Sequence, residues 1–265
     1  MVWWLAWHRL ISFLQFLWDS MNNWHGLSGR RLLVLSSGRS GSTLMRQYLN
    51  CHPGIRLYGE LLEEEDSKSI SRDADDLITY VTASLASLRG LFRFWPFVSY
   101  TGFKVFNEQL VRTGIDISHL IRRLNNPRVI VLYRRDLLET YVSLEIAFRS
   151  GCWYTGTKSN AIAVDVEWDE LVQFVDTERQ RWKSSLNGLR DYKDVVFVTF
   201  EELTKHRDET MNKIFQFLDL SEVPVAAESI RQNPLPLGEK IRNFDYIHKQ
   251  MHKKGDNFQL HLSIQ

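Results

Sequence analysis

A segment rich in glycine and hydroxyl side chains is the strongest chemical feature of this 265-residue chain. It runs from Ser36 to Thr43, reads Ser-Ser-Gly-Arg-Ser-Gly-Ser-Thr, and lies between an apolar run typical of a strand and a stretch typical of a helix. Glycines let successive backbone N–H groups turn inward, hydroxyls add donors, and a helix N-terminus adds the positive end of its dipole. The segment therefore predicts a site for an oxyanion such as phosphate or sulfate.

Positive charge is concentrated in the sequence around this turn. The chain has 33 Lys and Arg against 32 Asp and Glu, for a net charge of +1. Such a balance argues against a general polyanion binder, so nucleic acid is not an expected partner. Between Ser20 and Gly59, however, there is no acidic residue, and this stretch contains five arginines. They are Arg30, Arg31, Arg39, Arg46 and Arg56.

The turn differs from the nucleotide-binding loop of common kinases and GTPases. That loop needs Gly-x4-Gly-Lys-Ser/Thr, and no lysine follows Gly41. A Mg-nucleotide kinase of the usual type is therefore disfavoured. Without a ligand, the same residues would make an ordinary strand-to-helix turn, capped by Ser42 or Thr43.

A second candidate anion site follows another apolar run. Arg135 comes after Val129 to Tyr133, and Ser143 comes eight residues after Arg135 in a predicted helix. A guanidinium at a strand end and a hydroxyl two helical turns further on can converge on one phosphate. Arg134 is a rival for the same contact. Taken alone, this pair would be a surface arginine and a helix serine.

Together these segments resemble a known family. Arg39 to Thr43, Leu49 to Pro53 and Gly59-Glu60 are similar to sulfotransferases that use 3′-phosphoadenosine 5′-phosphosulfate (PAPS), most closely to bacterial glycolipid and Nod-factor enzymes and Golgi carbohydrate enzymes. The Arg135 and Ser143 spacing resembles that family's second signature, although the usual Pro is Leu137 here. Further resemblances lie in Gly102-Phe103-Lys104, Ser150 to Trp153 and Thr199 to Leu203.

The resemblance implies a donor site for PAPS, with adenosine 3′,5′-bisphosphate (PAP) as product and no metal. In the family the first loop holds the 5′-phosphosulfate, and the Arg and Ser of the second signature hold the 3′-phosphate. The implied donor-binding residues are Arg39, Ser40, Gly41, Ser42, Thr43, Leu44, Arg135 and Ser143.

Sulfuryl transfer needs a base for the acceptor hydroxyl and positive charge near the leaving phosphate. Glu60 matches the family's proposed base, Arg39 would stabilise the bridging oxygen, and Lys104 would add charge near the sulfuryl group. The alternative for Glu60 is the start of a solvated acidic run at 63–66. His52, which precedes Pro53, is better interpreted as part of a helix end than as the base.

We therefore expect a sulfotransferase that acts by in-line displacement on a hydroxyl of a small molecule, a carbohydrate or a glycolipid. Two alternatives stay open. One is a nucleotide-dependent phosphotransferase with a degenerate loop. The other is a non-catalytic nucleotide-binding protein. The oligomeric state is left open.

Alternating strand and helix patterns must position these residues, and they predict an α/β, P-loop-like, three-layer fold with a mainly parallel central sheet flanked by helices. Buried strands are expected at 30–36, 101–106, 128–133 and 194–199. Helical periodicity is found at 42–51, 73–88, 116–124, 137–150, 168–189 and 207–218, and a loop is expected at 153–166.

The predicted organisation is an aromatic helix and linker at 1–29, followed by a single domain at 30–265. Four tryptophans lie between Val2 and Trp18, so that helix packs on its own domain, on a partner or at a membrane interface. The segment at 92–97 is also aromatic.

The chain has two cysteines, which are too few for a disulfide framework, and this favours a reducing compartment. We therefore expect a cytoplasmic protein, with or without membrane association.

Overall fold

The computed structural model describes residues 30–62, 74–91, 98–153, 162–227, 235–254, 260–262 and 264. The predicted N-terminal helix, the aromatic segment at 92–97 and most of the predicted loop at 153–166 lie outside these residues.

A five-stranded sheet forms the centre of the described part of the chain, and its strand order is β2-β3-β1-β4-β5. All four strand pairs are parallel, which confirms the predicted α/β fold with a mainly parallel sheet. The strands are β1 (Arg30–Ser36), β2 (Ile55–Glu60), β3 (Tyr100–Phe106), β4 (Arg128–Tyr133) and β5 (Val195–Thr199). The edge strand β2 is an addition to the four predicted strands.

Helices cover both faces of this sheet. Those of the described residues are α1 (Ser42–Leu49), α2 (Ala74–Leu91), α3 (Asn107–Thr113), α4 (Ile117–Arg123), α5 (Leu137–Ser150), α6 (Trp168–Leu189), α7 (Phe200–Lys205), α8 (Arg207–Phe217), α9 (Leu237–Lys240) and α10 (Phe244–Lys254). The α5 helix begins at Leu137 without the family's proline, because the Asp136 side chain accepts a hydrogen bond from the Glu139 N–H. No helix of the described residues is long and apolar enough to cross a membrane.

The core lies in two layers, one on each face of the sheet. Leu33 and Leu35 of β1 point into the layer formed with α2 to α6, whereas Leu32 and Val34 point into the layer formed with α1, α7 and α8. Successive side chains of a strand point to opposite faces, so a strand covered on both faces must be apolar throughout. This is why β1 appears in the sequence as an unbroken apolar run.

Gly102 lets β3 and β1 approach each other in this sheet. A Cβ atom at position 102 would lie 1.8 Å from the carbonyl oxygen of Leu32, a distance that no side chain permits. The close approach fixes the position of Lys104, which is two residues further along β3.

The strand order places the carboxyl end of β1 at the centre of the sheet. The chain passes from β1 to β2 and β3 on one side, then crosses to β4 and β5 on the other. In open parallel sheets such a reversal leaves a crevice at the carboxyl ends of the strands, where ligands bind. The glycine- and serine-rich segment leaves β1 at this crevice.

Candidate active site

The loop that joins β1 to α1, residues Ser37 to Gly41, is called the anion loop below. Two of its residues have left-handed backbone angles, Arg39 with φ 62° and Gly41 with φ 87°. A Cβ atom at Gly41 would also lie 2.5 Å from the Phe200 ring. Glycine is therefore required at position 41 both by the backbone angle and by the close packing of Phe200.

The N-terminus of α1 faces this loop with no side-chain cap. Gly41 occupies the capping position, no side chain accepts a hydrogen bond there, and the first turn contains no acidic residue. The first N–H groups of a helix lack partners within the helix. The structure thus differs from the ordinary capped turn considered above. The backbone N–H groups of Ser42, Thr43 and Leu44 are suited to bind an anion.

The first turn of α3 supports the anion loop from behind. The Glu108 Oε1 accepts a hydrogen bond from the Gly38 N–H at 3.0 Å, and the Asn107 amide donates to the Ser37 hydroxyl at 3.4 Å. Ser185 of α6 donates to the Asn107 Oδ1 at 2.6 Å. Buried polar groups thus tie the loop to two helices.

This environment raises the pKa of the Glu108 carboxyl. Burial raises the pKa of its carboxyl above the usual value of 4.5, and the nearby charge of Glu178 raises it further. The hydrogen bond from Gly38 acts in the opposite direction. Its Oε2 is buried and has no hydrogen-bond partner among the described residues.

Arg39 connects the anion loop to α5. Its Nε donates to the Ser143 hydroxyl at 3.1 Å and its Nη1 to the Trp153 carbonyl at 3.2 Å. Burial, and then the positive charge of Arg134, lower the pKa of Arg39. Two guanidinium groups close enough to repel each other make a favourable place for an anion.

The two neighbouring arginines at the end of β4 have different surroundings. The Arg134 side chain is only 8% exposed, its Nη2 lies 2.6 Å from the Glu139 Oε2, and its guanidinium stacks 4.5 Å from the Phe200 ring centre. The Arg135 side chain is 53% exposed, and its Nε lies 3.8 Å from the Glu201 Oε2. Arg134 is thus built into the protein, whereas Arg135 remains accessible.

Ser143 lies next to Arg39 instead of Arg135. Within the described part of the chain, Arg135 makes no hydrogen bond or ion pair with Ser143. The predicted convergence of these two residues on one phosphate therefore stays a prediction.

Glu60 and Lys104, two of the predicted catalytic residues, meet at the other side of the loop. The Lys104 Nζ lies 2.8 Å from the Glu60 Oε1, and their side chains are only 6% and 13% exposed. The same Nζ donates to the Ser42 hydroxyl, the first residue of α1, at 3.4 Å. Lys104 thus stands between the predicted base and the start of the helix that faces the anion loop.

A β-bulge brings Glu60 to this position. Leu57 pairs with Gly102, but Glu60 pairs with Lys104, so three steps along β2 match two steps along β3. Side chains alternate between the faces of a strand, so without the extra residue Glu60 would point away from Lys104. Bulges commonly re-aim a side chain in this way.

Gln109 is a contact of Glu60 that the sequence did not reveal. Its Nε2 donates to the Glu60 Oε2 at 3.1 Å. The sequence feature that could have identified Gln109 is its position in the first helical turn after β3, close to Lys104 and at the carboxyl end of the sheet. Phe200, which packs on Gly41, was likewise known only as part of a family motif.

His52 has the structural role that was predicted for it. It is buried, it lies just beyond the end of α1, and its Nδ1 accepts a hydrogen bond from the Gly54 N–H at 2.9 Å. Among the residues that the structure describes, no three His, Cys, Asp or Glu side chains form a group that could hold a metal ion. The expectation of a metal-free site stays a prediction.

The sequence matches a known protein family over most of its length. A family model described as "Sulfotransferase domain" matches residues 30–235. No curated protein matches the sequence.

Solved structures that are similar to this chain include three sulfotransferases. The sulfotransferase domain from the curacin biosynthetic pathway is 16% identical over 79% of this chain and 81% of that one, with a TM-score of 0.46. A sulfotransferase from Alicyclobacillus acidocaldarius is 14% identical over 83% and 95%, with a TM-score of 0.44. The mouse sulfotransferase SULT7A1, complexed with PAP, is 14% identical over 73% and 59%, with a TM-score of 0.43.

The conformation of the anion loop yields a first prediction. Gly41→Ala combines a strained positive φ with overlap on Phe200, so we expect a loss of about 1–3 kcal/mol in the free energy of unfolding. Gly59→Ala is the matched control, because a Cβ there meets nothing within 4 Å. Chemical denaturation measures both variants. Equal stability of the two would show that the loop tolerates a side chain at position 41.

The environment of Glu108 yields a second prediction. A carboxyl whose pKa is raised by folding holds its proton more tightly in the folded state, so stability falls as the pH rises above 4.5. Glu108→Gln removes this titration, while its amide oxygen still accepts the Gly38 N–H. Relative to the wild type, the variant should gain up to about 1.4 kcal/mol per pH unit within the titration range. Parallel curves of unfolding free energy against pH would contradict this prediction.

Proposed function

The chain belongs to the sulfotransferase domain family, and from this premise we propose that it transfers a sulfuryl group from PAPS to a hydroxyl acceptor. Family membership establishes sulfuryl transfer in general and favours it over a phosphotransferase. The observation that carries the proposal within the site is the meeting of Glu60, Lys104 and Ser42 beside an uncapped helix N-terminus.

The donor's 5′-phosphosulfate fits the anion loop and the start of α1. The Ser40 hydroxyl holds the loop itself, because it donates to the Ser37 carbonyl at 2.7 Å. The site offers uncapped N–H groups, the hydroxyls of Ser42 and Thr43, and the guanidinium of Arg39. These are the donors that phosphate and sulfate oxygens accept in proteins. Gly41, held against Phe200, shapes the cradle, and Leu44 contributes its N–H in the first turn of α1.

For the 3′-phosphate we propose Arg135 together with Ser143. The support is that Arg135 is accessible, whereas Arg134 is buried against Glu139 and Phe200. The Ser143 hydroxyl accepts from Arg39, and it still has a proton to donate to a phosphate oxygen. Arg134 would then act through its charge, which repels Arg39 and favours an anion nearby.

PAPS supplies a sulfuryl group on a good leaving group, and the protein residues position and neutralise the reaction. The bond from the acceptor oxygen to sulfur forms as the bond from sulfur to the 5′-phosphate oxygen breaks. Because the acceptor attacks sulfur directly, no covalent enzyme intermediate is needed. The Glu60 carboxylate takes the acceptor proton. Lys104, next to both Glu60 and Ser42, and Arg39 stabilise the negative charge that develops on the phosphate.

The acceptor class is a further part of the proposal. A hydroxyl of a carbohydrate or glycolipid follows from the resemblance of the Gly102-Phe103-Lys104 and Ser150 to Trp153 segments to bacterial and Golgi enzymes. A cytoplasmic location, with or without membrane contact through the N-terminal segment, likewise stays a proposal.

The assignment of the 3′-phosphate can be tested by binding. Arg135→Ala should weaken the binding of PAP about 10- to 100-fold, the scale of one hydrogen bond to a charged group. Binding of adenosine 5′-phosphate, which lacks the 3′-phosphate, should change little. Arg149→Ala, at the exposed end of α5, is the matched control. Equal losses for both nucleotides would contradict the assignment, as would a selective loss only in Arg134→Ala.

The role of Glu60 can be tested by transfer of labelled sulfate from PAPS to a panel of carbohydrate, glycolipid and phenolic acceptors. Glu60→Gln should bind PAP as the wild type does and lose about 100-fold or more in turnover, because a general base is removed. Glu209→Gln, at an exposed position on α8, is the control. Near-normal turnover would remove Glu60 from this role. PAP binding by a wild type that transfers no sulfate would indicate a non-catalytic nucleotide-binding protein.

A further inference from the structure

Gln109 forms a bridge between the protein backbone and the predicted base. It is the third residue of α3, and it is only 6% exposed. Its Oε1 accepts a hydrogen bond from the Phe106 N–H at 2.9 Å, and its Nε2 donates to the Glu60 Oε2 at 3.1 Å. One end of the amide is thus fixed by the backbone, and the other end holds the carboxylate.

The two oxygens of Glu60 have different partners. The Oε1 pairs with the Lys104 ammonium at 2.8 Å, and the Oε2 accepts from Gln109. The terminal torsion of a glutamate is broad, so a single ion pair leaves the plane of the carboxylate free to turn. Two donors on separate oxygens fix that plane, while each oxygen keeps a lone pair for a proton from the acceptor.

The orientation of the Gln109 amide follows from the same contacts. If its oxygen and nitrogen were exchanged, the oxygen would face the Glu60 carboxylate and the NH₂ would face the Phe106 N–H. Both contacts would then be repulsive. The network therefore assigns the NH₂ group to Glu60.

From this geometry we infer that Gln109 is a positioning residue that orients the Glu60 carboxylate for proton transfer. The inference rests on the proposed function, because it needs Glu60 as the base. A neutral amide suits the task, because it fixes the carboxylate without adding a second positive charge.

The position of Gln109 also relates the base to the donor site. The two residues before it, Asn107 and Glu108, contact Ser37 and Gly38 of the anion loop. One helical turn therefore sets both the loop and the carboxylate. The distance from donor to base depends on this turn, and misplacement by about 1 Å can reduce a rate about 100-fold.

Two variants separate positioning from a purely structural role. Gln109→Glu keeps an oxygen that accepts the Phe106 N–H and replaces the NH₂ donor with a second carboxylate oxygen beside Glu60. Gln109→Met removes both hydrogen bonds at similar volume. Rates of sulfate transfer from PAPS to the best acceptor of the panel above are measured against pH, together with PAP binding and unfolding free energy.

We expect both variants to bind PAP as the wild type does and to lose about 10- to 100-fold in kcat with little change in the KM for PAPS. In Gln109→Glu, the acidic limb of the pH–rate profile should move to higher pH by about 1 unit, because two neighbouring carboxylates share a proton. A purely structural role predicts instead that Gln109→Met loses unfolding free energy while its kcat and its KM for PAPS stay those of the wild type. That result would overturn the inference.

The wild-type measurement separates this inference from the proposed function. A wild type without transfer to any acceptor would overturn the proposed function and this inference with it. A wild type that transfers sulfate and loses turnover in Glu60→Gln, yet keeps a normal kcat in Gln109→Met, would overturn the inference alone.

Discussion

The residues of the site are arranged around the ion pair between Glu60 and Lys104. It is almost buried, and its two charges lie 2.8 Å apart. A buried charge that loses its partner costs several kcal/mol, so the two strands that bear these residues must keep their register. The bulge in β2 and the close approach of β3 to β1 at Gly102 both serve this register.

The pair also links the parts of the site that would bind the donor and activate the acceptor. Lys104 reaches the start of α1 through Ser42, and Glu60 reaches α3 through Gln109. On the opposite side of the anion loop, Arg39 and Arg134 lie close enough for one charge to lower the pKa of the other guanidinium. Basic side chains therefore lie on both sides of the loop, Lys104 paired with Glu60 and Arg134 paired with Glu139.

Much of this arrangement could be predicted because its signals are local. The apolar runs of β1 and β4 and the helical periods of α5 and α6 appear in the sequence with the observed bounds. The strand β2 escaped prediction because its six residues, Ile-Arg-Leu-Tyr-Gly-Glu, include polar side chains and a bulge. Contacts between residues that are far apart in the sequence could not be predicted either. Gln109 reaches Glu60 over 49 positions, and Ser143, expected beside Arg135, bonds to Arg39 over 104 positions.

Titration calorimetry can show whether the anion loop and α1 form a site for a 3′-phosphorylated sulfuryl donor. The titrants are PAP, ATP and GTP, each with and without Mg²⁺, and no acceptor needs to be known. We expect micromolar binding of PAP that is independent of Mg²⁺, with much weaker binding of ATP and GTP. Binding of ATP or GTP that requires Mg²⁺, without binding of PAP, would contradict this expectation.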